Sequence, residues 1–177
     1  MNSQANNTQN NNPSLQSGDS VLPARDDAEQ CLTFMLAGEE YGVDILRVQE
    51  IKGWGPVTRI PNTPSYVLGV INLRGTVVPV VDLRKRFGIE SVPFGKTTVV
   101  IVVKVHTADH ERTMGLVVDA VSEVYVVPPE SSRVPPDFGG SVRTEFISGL
   151  ATVDDKMVIL LDIDRLIEVG VLASAAA

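Results

Sequence analysis

The sequence is short of cysteine and of long apolar runs, and each shortage excludes a class of protein. Cys31 is the single cysteine among 177 residues, so no internal disulfide can form, which suits a reducing compartment. No run approaches the roughly 18 uncharged apolar residues of a membrane-spanning helix. The longest apolar runs, at 77–81 and 99–103, have the length of strands. The first residues also lack the basic and apolar blocks of a secretory signal, so we expect a soluble intracellular protein.

Positive charge is scarce as well. The chain has 15 Lys and Arg residues against 22 Asp and Glu residues, which gives a formal net charge of -7. Phosphate contacts need a clustered basic surface, and the only basic run consists of Arg84, Lys85 and Arg86. We interpret this run as the solvated face of a short helix. The composition therefore argues against a nucleic-acid partner.

Composition divides the chain into three parts. Residues 1–20 are rich in Asn, Gln and Ser with almost no large apolar side chains, which predicts a disordered leader over residues 1–30. Residues 171–177 end in ASAAA and are predicted to form a frayed tail. Between these segments, short runs of Val and Ile alternate with Gly, Pro, Asn and Asp, and long amphipathic helices are missing. This pattern predicts an all-β barrel or sandwich with short helices.

An internal repeat sharpens that prediction. The stretch GVINLRGTVVPVVDLRKRF aligns without a gap on GLATVDDKMVILLDIDRLI, and Asp82 falls on Asp162. Each copy is predicted to contain a strand, a tight turn and a second strand. The aspartate then caps a short helix that ends at Gly88 or Gly170.

A second pair of segments repeats in the same way. GVDILRVQEI matches GLVVDAVSEV, which places Val48 on Val121, Glu50 on Glu123 and Ile51 on Val124. We therefore predict two related halves, at about 31–95 and 96–170, each the size of a small five-stranded barrel. Terminal strands or helices could still cross between the halves.

The repeat also bears on an arginine within an otherwise apolar segment. The predicted turn is Arg74-Gly75 in the first copy and Asp154-Asp155 in the second. Both pairs fit a hairpin turn, and glycine adopts a positive φ at little cost. The fold does not require an arginine at position 74, so a solvated turn residue and a functional residue both stay open.

A resemblance to a known family rests on three stretches. They are EEYGVDILRVQEI at 39–51, VTRIPNTPSYVLGVINLRGTVVPVVDLRKRFG at 57–88 and GLVVDAVSEV at 115–124. Together they resemble the CheW family of chemotaxis coupling proteins, over residues 32–167. The resemblance implies two SH3-like five-stranded β-barrels packed side by side. It also implies a non-enzymatic cytoplasmic adaptor without cofactors, held at the inner face of the membrane through receptor arrays.

The same resemblance implies two protein partners, the cytoplasmic tips of transmembrane chemoreceptors and the regulatory domain of the histidine kinase CheA. The matching receptor-binding positions are Val48, Glu50, Ile51, Gly69, Asn72, Arg74, Val99 and Val124. We expect an apolar stripe for a receptor helical hairpin and an ion pair in which Glu50 orients Arg74. No short motif matches the kinase contact. Without the resemblance, the aliphatic members of this set would be taken for core residues.

Two other functions compete with the adaptor. His106 and His110 have an H-x3-H spacing near Asp109 and Glu111, which would suit a metal-binding enzyme, but the repeat places them in a polar loop. No G-x-S-x-G or Walker motif is present, and Cys31 is predicted to be a buried structural thiol. We expect no metal. A CheW-like scaffold in another kinase pathway, for surface motility or second messengers, also stays open.

Overall fold

The computed structural model describes residues 28–136 and 144–168. Most of the predicted leader, residues 1–27, lies outside the described residues, and so do Gly170 and the predicted tail at 171–177. The first strand begins at Glu29, so two residues assigned to the leader belong to a strand. Among the described residues, no helix is long and apolar enough to cross a membrane.

Eleven strands and two short helices make up the described chain. The strands are β1 (Glu29–Leu36), β2 (Glu39–Asp44), β3 (Val48–Gly53), β4 (Val67–Leu73), β5 (Thr76–Asp82), β6 (Val99–His106), β7 (Glu111–Val118), β8 (Ala120–Val127), β9 (Ser132–Arg133), β10 (Ile147–Val153) and β11 (Lys156–Leu161). The helices are α1 (Leu83–Arg86) and α2 (Ile163–Glu168), and 3₁₀ turns lie at Ile45–Arg47, Pro129–Ser131 and Thr144–Phe146.

The strands form two sheets. One has six strands in the order β8-β1-β2-β11-β10-β9, and the other has five in the order β3-β6-β7-β5-β4. The prediction of a mostly β fold with short helices and two β units is confirmed, although one unit has six strands because the two-residue β9 pairs with β10.

Each sheet combines strands from both halves of the sequence. The hairpin β1–β2 joins β8, β10 and β11, whereas the hairpin β6–β7 joins β3, β4 and β5. The first two strands of each half have therefore exchanged sheets, and neither predicted half forms a sheet by itself. The exchange brings β2 parallel to β11 and β7 parallel to β5, so the two sheets have matching strand orders.

The predicted turns and helix N-caps are confirmed. Positive φ values of 50° and 84° occur at Arg74 and Gly75, and the equivalent Asp154 and Asp155 have 50° and 62°. Two positive φ values in a two-residue loop are the requirement of a type I′ hairpin. The side chain of Asp82 accepts from the backbone N–H of the second residue of α1 at 3.0 Å.

The C-terminus of α1 also ends as predicted. Gly88 has a φ of 71°, and its N–H donates to the Lys85 carbonyl at 3.1 Å. The N–H of Ile89 donates to the Arg84 carbonyl at 2.8 Å, which completes a Schellman motif. At the N-terminus of α2, Asp162 caps the helix as Asp82 caps α1, since its side chain accepts from the N–H of Arg165 at 3.1 Å.

Three apolar clusters form the core of the part of the chain that the structure describes. One belongs to the six-stranded sheet and includes Cys31, and one belongs to the five-stranded sheet. The largest takes side chains from both sheets and both helices, including Phe34, Leu116 and Leu166, and it holds the two units together. Burial of Cys31 raises the pKa of its thiol to about 11, with smaller contributions from Glu29 and Asp44. The expectation of a buried structural thiol is confirmed.

Candidate functional site

The predicted site residues lie mainly on the edge strands of the two sheets. β3 carries Val48, Glu50 and Ile51 along one edge of the five-stranded sheet. β4, at the opposite edge of the same sheet, carries Gly69 and Asn72, and Arg74 follows it in the turn. Val99 begins β6 beside β3, and Val124 lies on β8, at an edge of the six-stranded sheet.

An ion pair joins the two edges of the five-stranded sheet. Nη2 of Arg74 lies 2.9 Å from Oε2 of Glu50, as the sequence hypothesis required. The Glu50 side chain is 24% exposed and the Arg74 side chain 81% exposed. Since the sheet order places β3 and β4 at opposite edges, the sheet must curl until these edges approach each other. The exposed guanidinium keeps free N–H groups that can donate to a partner carboxylate or carbonyl.

A β-bulge aims Glu50 at its partner. Val48 pairs with Val103 and Glu50 pairs with Val102, so Gln49 is an extra residue in β3. Val103 belongs to the large central cluster, whereas Val102 belongs to the cluster of the five-stranded sheet alone. The bulge therefore places Val48 and Glu50 on opposite faces, which simple alternation along the strand does not predict.

Gly69 and Asn72 shape the segment that presents the arginine. Gly69 has a φ of +145°, and a Cβ built on it would lie 2.2 Å from the carbonyl oxygen of Thr58. The side-chain oxygen of Asn72 accepts from the N–H of Gly75 at 2.8 Å and so braces the turn that contains Arg74. Gly69 is buried, so its role here is to let two backbone segments approach closely.

The four aliphatic members of the predicted set differ in exposure. Ile51 and Val124, which occupy equivalent positions in the repeat, are 46% and 51% exposed. Val48 and Val99 are partly buried and pack against the central cluster. Only the first pair therefore presents substantial apolar surface to a partner.

Sequence reasoning missed two further exposed apolar residues in this region. Leu46 is 85% exposed and Val126 is 52% exposed. Both line an open cleft of about 680 Å³, whose other lining residues are Ala28, Glu29, Gln30, Asp44 and Ile45. Val126 stands two residues after Val124 on the same strand, and this period-2 spacing is the signal that could have identified it.

The histidines considered for metal binding belong to a hairpin network instead. His106 Nε2 lies 2.9 Å from a carboxylate oxygen of Glu111, and Lys104 Nζ lies 3.0 Å from the other oxygen. The hydrogen bond from Lys104 is the main cause that lowers the Glu111 pKa. His110 accepts from Arg112 Nε at 2.5 Å. Within residues 28–136 and 144–168, no group of three or more His, Cys, Asp or Glu side chains could hold a metal ion.

Comparison with known sequences decides the family. The sequence profile of the CheW-like domain matches residues 30–170. The chain belongs to the CheW family. It is 45% identical over 139 residues to the chemotaxis protein CheW of Klebsiella aerogenes, covering 78% of this chain and 81% of the relative. A CheW of Rhizobium meliloti is 36% identical over 135 residues, which cover 76% and 84% of the two chains.

A solved CheW structure shows the same fold. The crystal structure of the scaffolding protein TtCheW from Thermoanaerobacter tengcongensis superimposes with a TM-score of 0.72 at 39% sequence identity. The match covers 80% of this chain and 89% of that chain. The resemblance drawn from the three sequence stretches is therefore confirmed, and so is the CheW-like arrangement of two β units.

Proposed function

We propose that this CheW-family protein is a non-enzymatic adaptor that couples methyl-accepting chemoreceptors to a CheA-type histidine kinase. The observation that supports this proposal most directly is the Glu50–Arg74 pair. It presents an exposed guanidinium beside the edge strand that carries the exposed Ile51. An edge strand that orients a cation through Glu50 and carries an exposed apolar side chain at Ile51 suits a partner helix better than it suits a small substrate.

Two kinds of side chain contact the receptor in this proposal. The aliphatic side chains of Ile51 and Val124 supply apolar area for the receptor hairpin, and Arg74 fixes its register by hydrogen bonding. Val48 and Val99 pack against the central core cluster. Gly69 lets β4 approach the Thr58 backbone, and Asn72 braces the turn that contains Arg74. Such a surface favours micromolar affinity, about -8 kcal/mol, which many weak contacts in an array reinforce.

The kinase side of the complex completes the proposal. The partner is the regulatory domain of the kinase, and the adaptor acts by holding receptor and kinase together so that receptor conformation biases kinase activity. This role places the protein in the cytoplasm, at the inner face of the membrane through the receptor array. It needs no cofactor.

A second candidate function is a scaffold in a kinase pathway other than chemotaxis. The chain is 28% identical over 153 residues to Protein FrzA of Myxococcus xanthus, which covers 85% of this chain and 92% of that relative. A relative that carries a name other than CheW supports this second candidate. The partner receptors and kinase of the same organism distinguish the two candidates.

Kinase autophosphorylation in a reconstituted system tests the proposal. The assay combines receptor-bearing membranes and the CheA-type kinase with no adaptor, with this protein, or with its Arg74→Glu variant. Arg133→Glu is the matched control, because it makes the same charge change at an exposed position on the other sheet. We expect activation by the wild type and by the control, and its loss with Arg74→Glu. Absence of activation with every receptor and kinase pair would overturn the proposal.

A further inference from the structure

Two bidentate arginine–aspartate pairs, which we call clamps, lie where the chain passes from one sheet to the other. In the first clamp, Arg84 Nε and Nη2 donate to the two carboxylate oxygens of Asp119 at 2.8 and 2.6 Å. In the second clamp, Arg47 Nη1 and Nη2 donate to the two oxygens of Asp164 at 3.2 and 2.8 Å. Asp119 lies in the connection from β7 to β8, and Arg47 lies in the connection from β2 to β3.

Each clamp also fastens a third segment through the backbone. Asp119 accepts from the N–H of Ala37, in the β1–β2 turn, at 2.8 Å. Asp164 accepts from the N–H of His106, at the end of β6, at 2.8 Å. Each clamp therefore ties a crossover, a short helix and a hairpin end into one joint that spans both sheets.

The two clamps have the same construction with opposite polarity. Arg84 and Asp164 occupy equivalent positions, because each stands two residues after the aspartate that caps its helix. The helix supplies the cation in the first clamp and the anion in the second, and the crossover supplies the opposite charge. The two clamps reverse the positions of cation and anion but connect the same kinds of segment. Their common role is therefore to hold these segments together and not to present a particular charge to a partner.

The position of each clamp in the chain indicates what it holds in place. Arg47 directly precedes β3, and Asp119 directly precedes β8. Both strands lie at the edge of a sheet and, within the described ranges, pair on one side only, so their ends depend on contacts outside the ladder. The clamp side chains are only 14–28% exposed, and partly buried bidentate pairs hold geometry better than exposed single contacts.

We propose that Arg47, Asp164, Arg84 and Asp119 are positioning residues that fix the two edge strands relative to each other. They thereby set the spacing between Ile51 on β3 and Val124 on β8. The docking part of this inference rests on the proposed adaptor function. The strand-positioning part concerns the free protein and is tested without any partner.

Distance measurements between spin labels test strand positioning. Labels at Lys52→Cys and Ser122→Cys report the separation of β3 and β8, since both positions are exposed. We expect Arg47→Asp to broaden the distance distribution by about twofold, and Arg47→Gln to broaden it less. Combining Arg47→Asp with Asp164→Arg gives the ion pair of the second clamp the polarity of the first. An arginine at position 164 cannot accept from the His106 N–H, so this double variant should restore most of the narrow distribution. Arg165→Ala, on the exposed side of α2, is the matched control.

Binding measurements with unlabelled proteins test the docking role. We expect Arg47→Asp to weaken receptor binding by about tenfold, to leave affinity for the kinase regulatory domain within about twofold, and to be rescued by Asp164→Arg. A merely structural role would weaken both affinities together. Distributions as narrow in Arg47→Asp and Arg47→Gln as in the control, or a double variant no better than Arg47→Asp alone, would overturn the inference. Wild-type protein that binds no receptor overturns the adaptor proposal and the docking role, while the distances still decide strand positioning.

Discussion

The backbone at Gly69 leaves no room for a side chain, which makes Gly69→Ala a sharp test of how the arginine-bearing segment is held. A methyl group there would lie 2.2 Å from the Thr58 carbonyl oxygen, 2.8 Å from the Thr58 carbonyl carbon and 3.1 Å from the Arg59 Cα. These atoms belong to the backbone, so the clash cannot be relieved by turning a flexible side chain. The φ of +145° adds strain for any residue with a Cβ.

Both contributions can be given a magnitude. A residue forced into such a backbone conformation costs about 1–3 kcal/mol. Displacing Thr58 also breaks its two backbone hydrogen bonds with Val70, at 2.9 and 2.8 Å, and each such bond is worth about 1 kcal/mol net. We therefore expect Gly69→Ala to lower the free energy of unfolding by about 3–5 kcal/mol.

Urea unfolding followed by fluorescence measures this loss. Trp54 is the only tryptophan in the chain and packs against the cluster of the five-stranded sheet, so it reports the unit that contains Gly69. Gly53→Ala is the matched control, because a Cβ at Gly53 meets nothing within 4 Å. We expect the control to change stability by less than about 0.5 kcal/mol. A loss below about 1 kcal/mol for Gly69→Ala, or equal losses in the two variants, would refute the reasoning.

Three further predictions concern the Glu50–Arg74 pair, Asp119 and Cys31. Reversing both Glu50 and Arg74 should retain about fivefold more receptor affinity than either single reversal in a binding titration; a double variant no better than the singles contradicts the orienting role. The hydrogen bond from Arg84 is the main cause that lowers the pKa of Asp119 in the folded protein. The stabilisation from this pair is therefore present above the ordinary pKa of about 4 and is lost as the pH falls through the lower pKa of the folded protein. Urea midpoints below pH 5 should therefore fall more steeply in the wild type than in Asp119→Asn. Native Cys31 should resist alkylation at pH 8, since its pKa is about 11, and rapid modification without unfolding would contradict its burial.

Local features of the fold could be predicted because neighbouring residues determine them. The cap at Asp82 and the positive φ values at Arg74 and Gly75 depend on a few adjacent side chains, and the internal repeat supplied each of them twice. The Glu50–Arg74 pair was also predictable, because opposite charges at matched family positions indicate an ion pair.

Other features depend on contacts between distant parts of the chain. Gln49 is an extra residue in β3 only because of how β3 pairs with β6, and the stretch VQEI carries no signal for a bulge. The exchange of hairpins between the two halves is decided by which strands meet, since both halves carry the same pattern of apolar residues. For the same reason, sequence could not separate Val48, which packs against the core, from Ile51, which does not.

The hairpin exchange sets an order for folding during synthesis. The strands of the five-stranded sheet lie between Val48 and Val118, so that sheet is complete while later residues are still being added. The β1–β2 hairpin is made first, but its partners β8 and β11 end only at Val127 and Leu161. At about 5–20 residues per second, the hairpin waits a few seconds with unpaired edges after its neighbours have folded. Until its partner strands are made, the edges of this hairpin are therefore open to pairing with another chain.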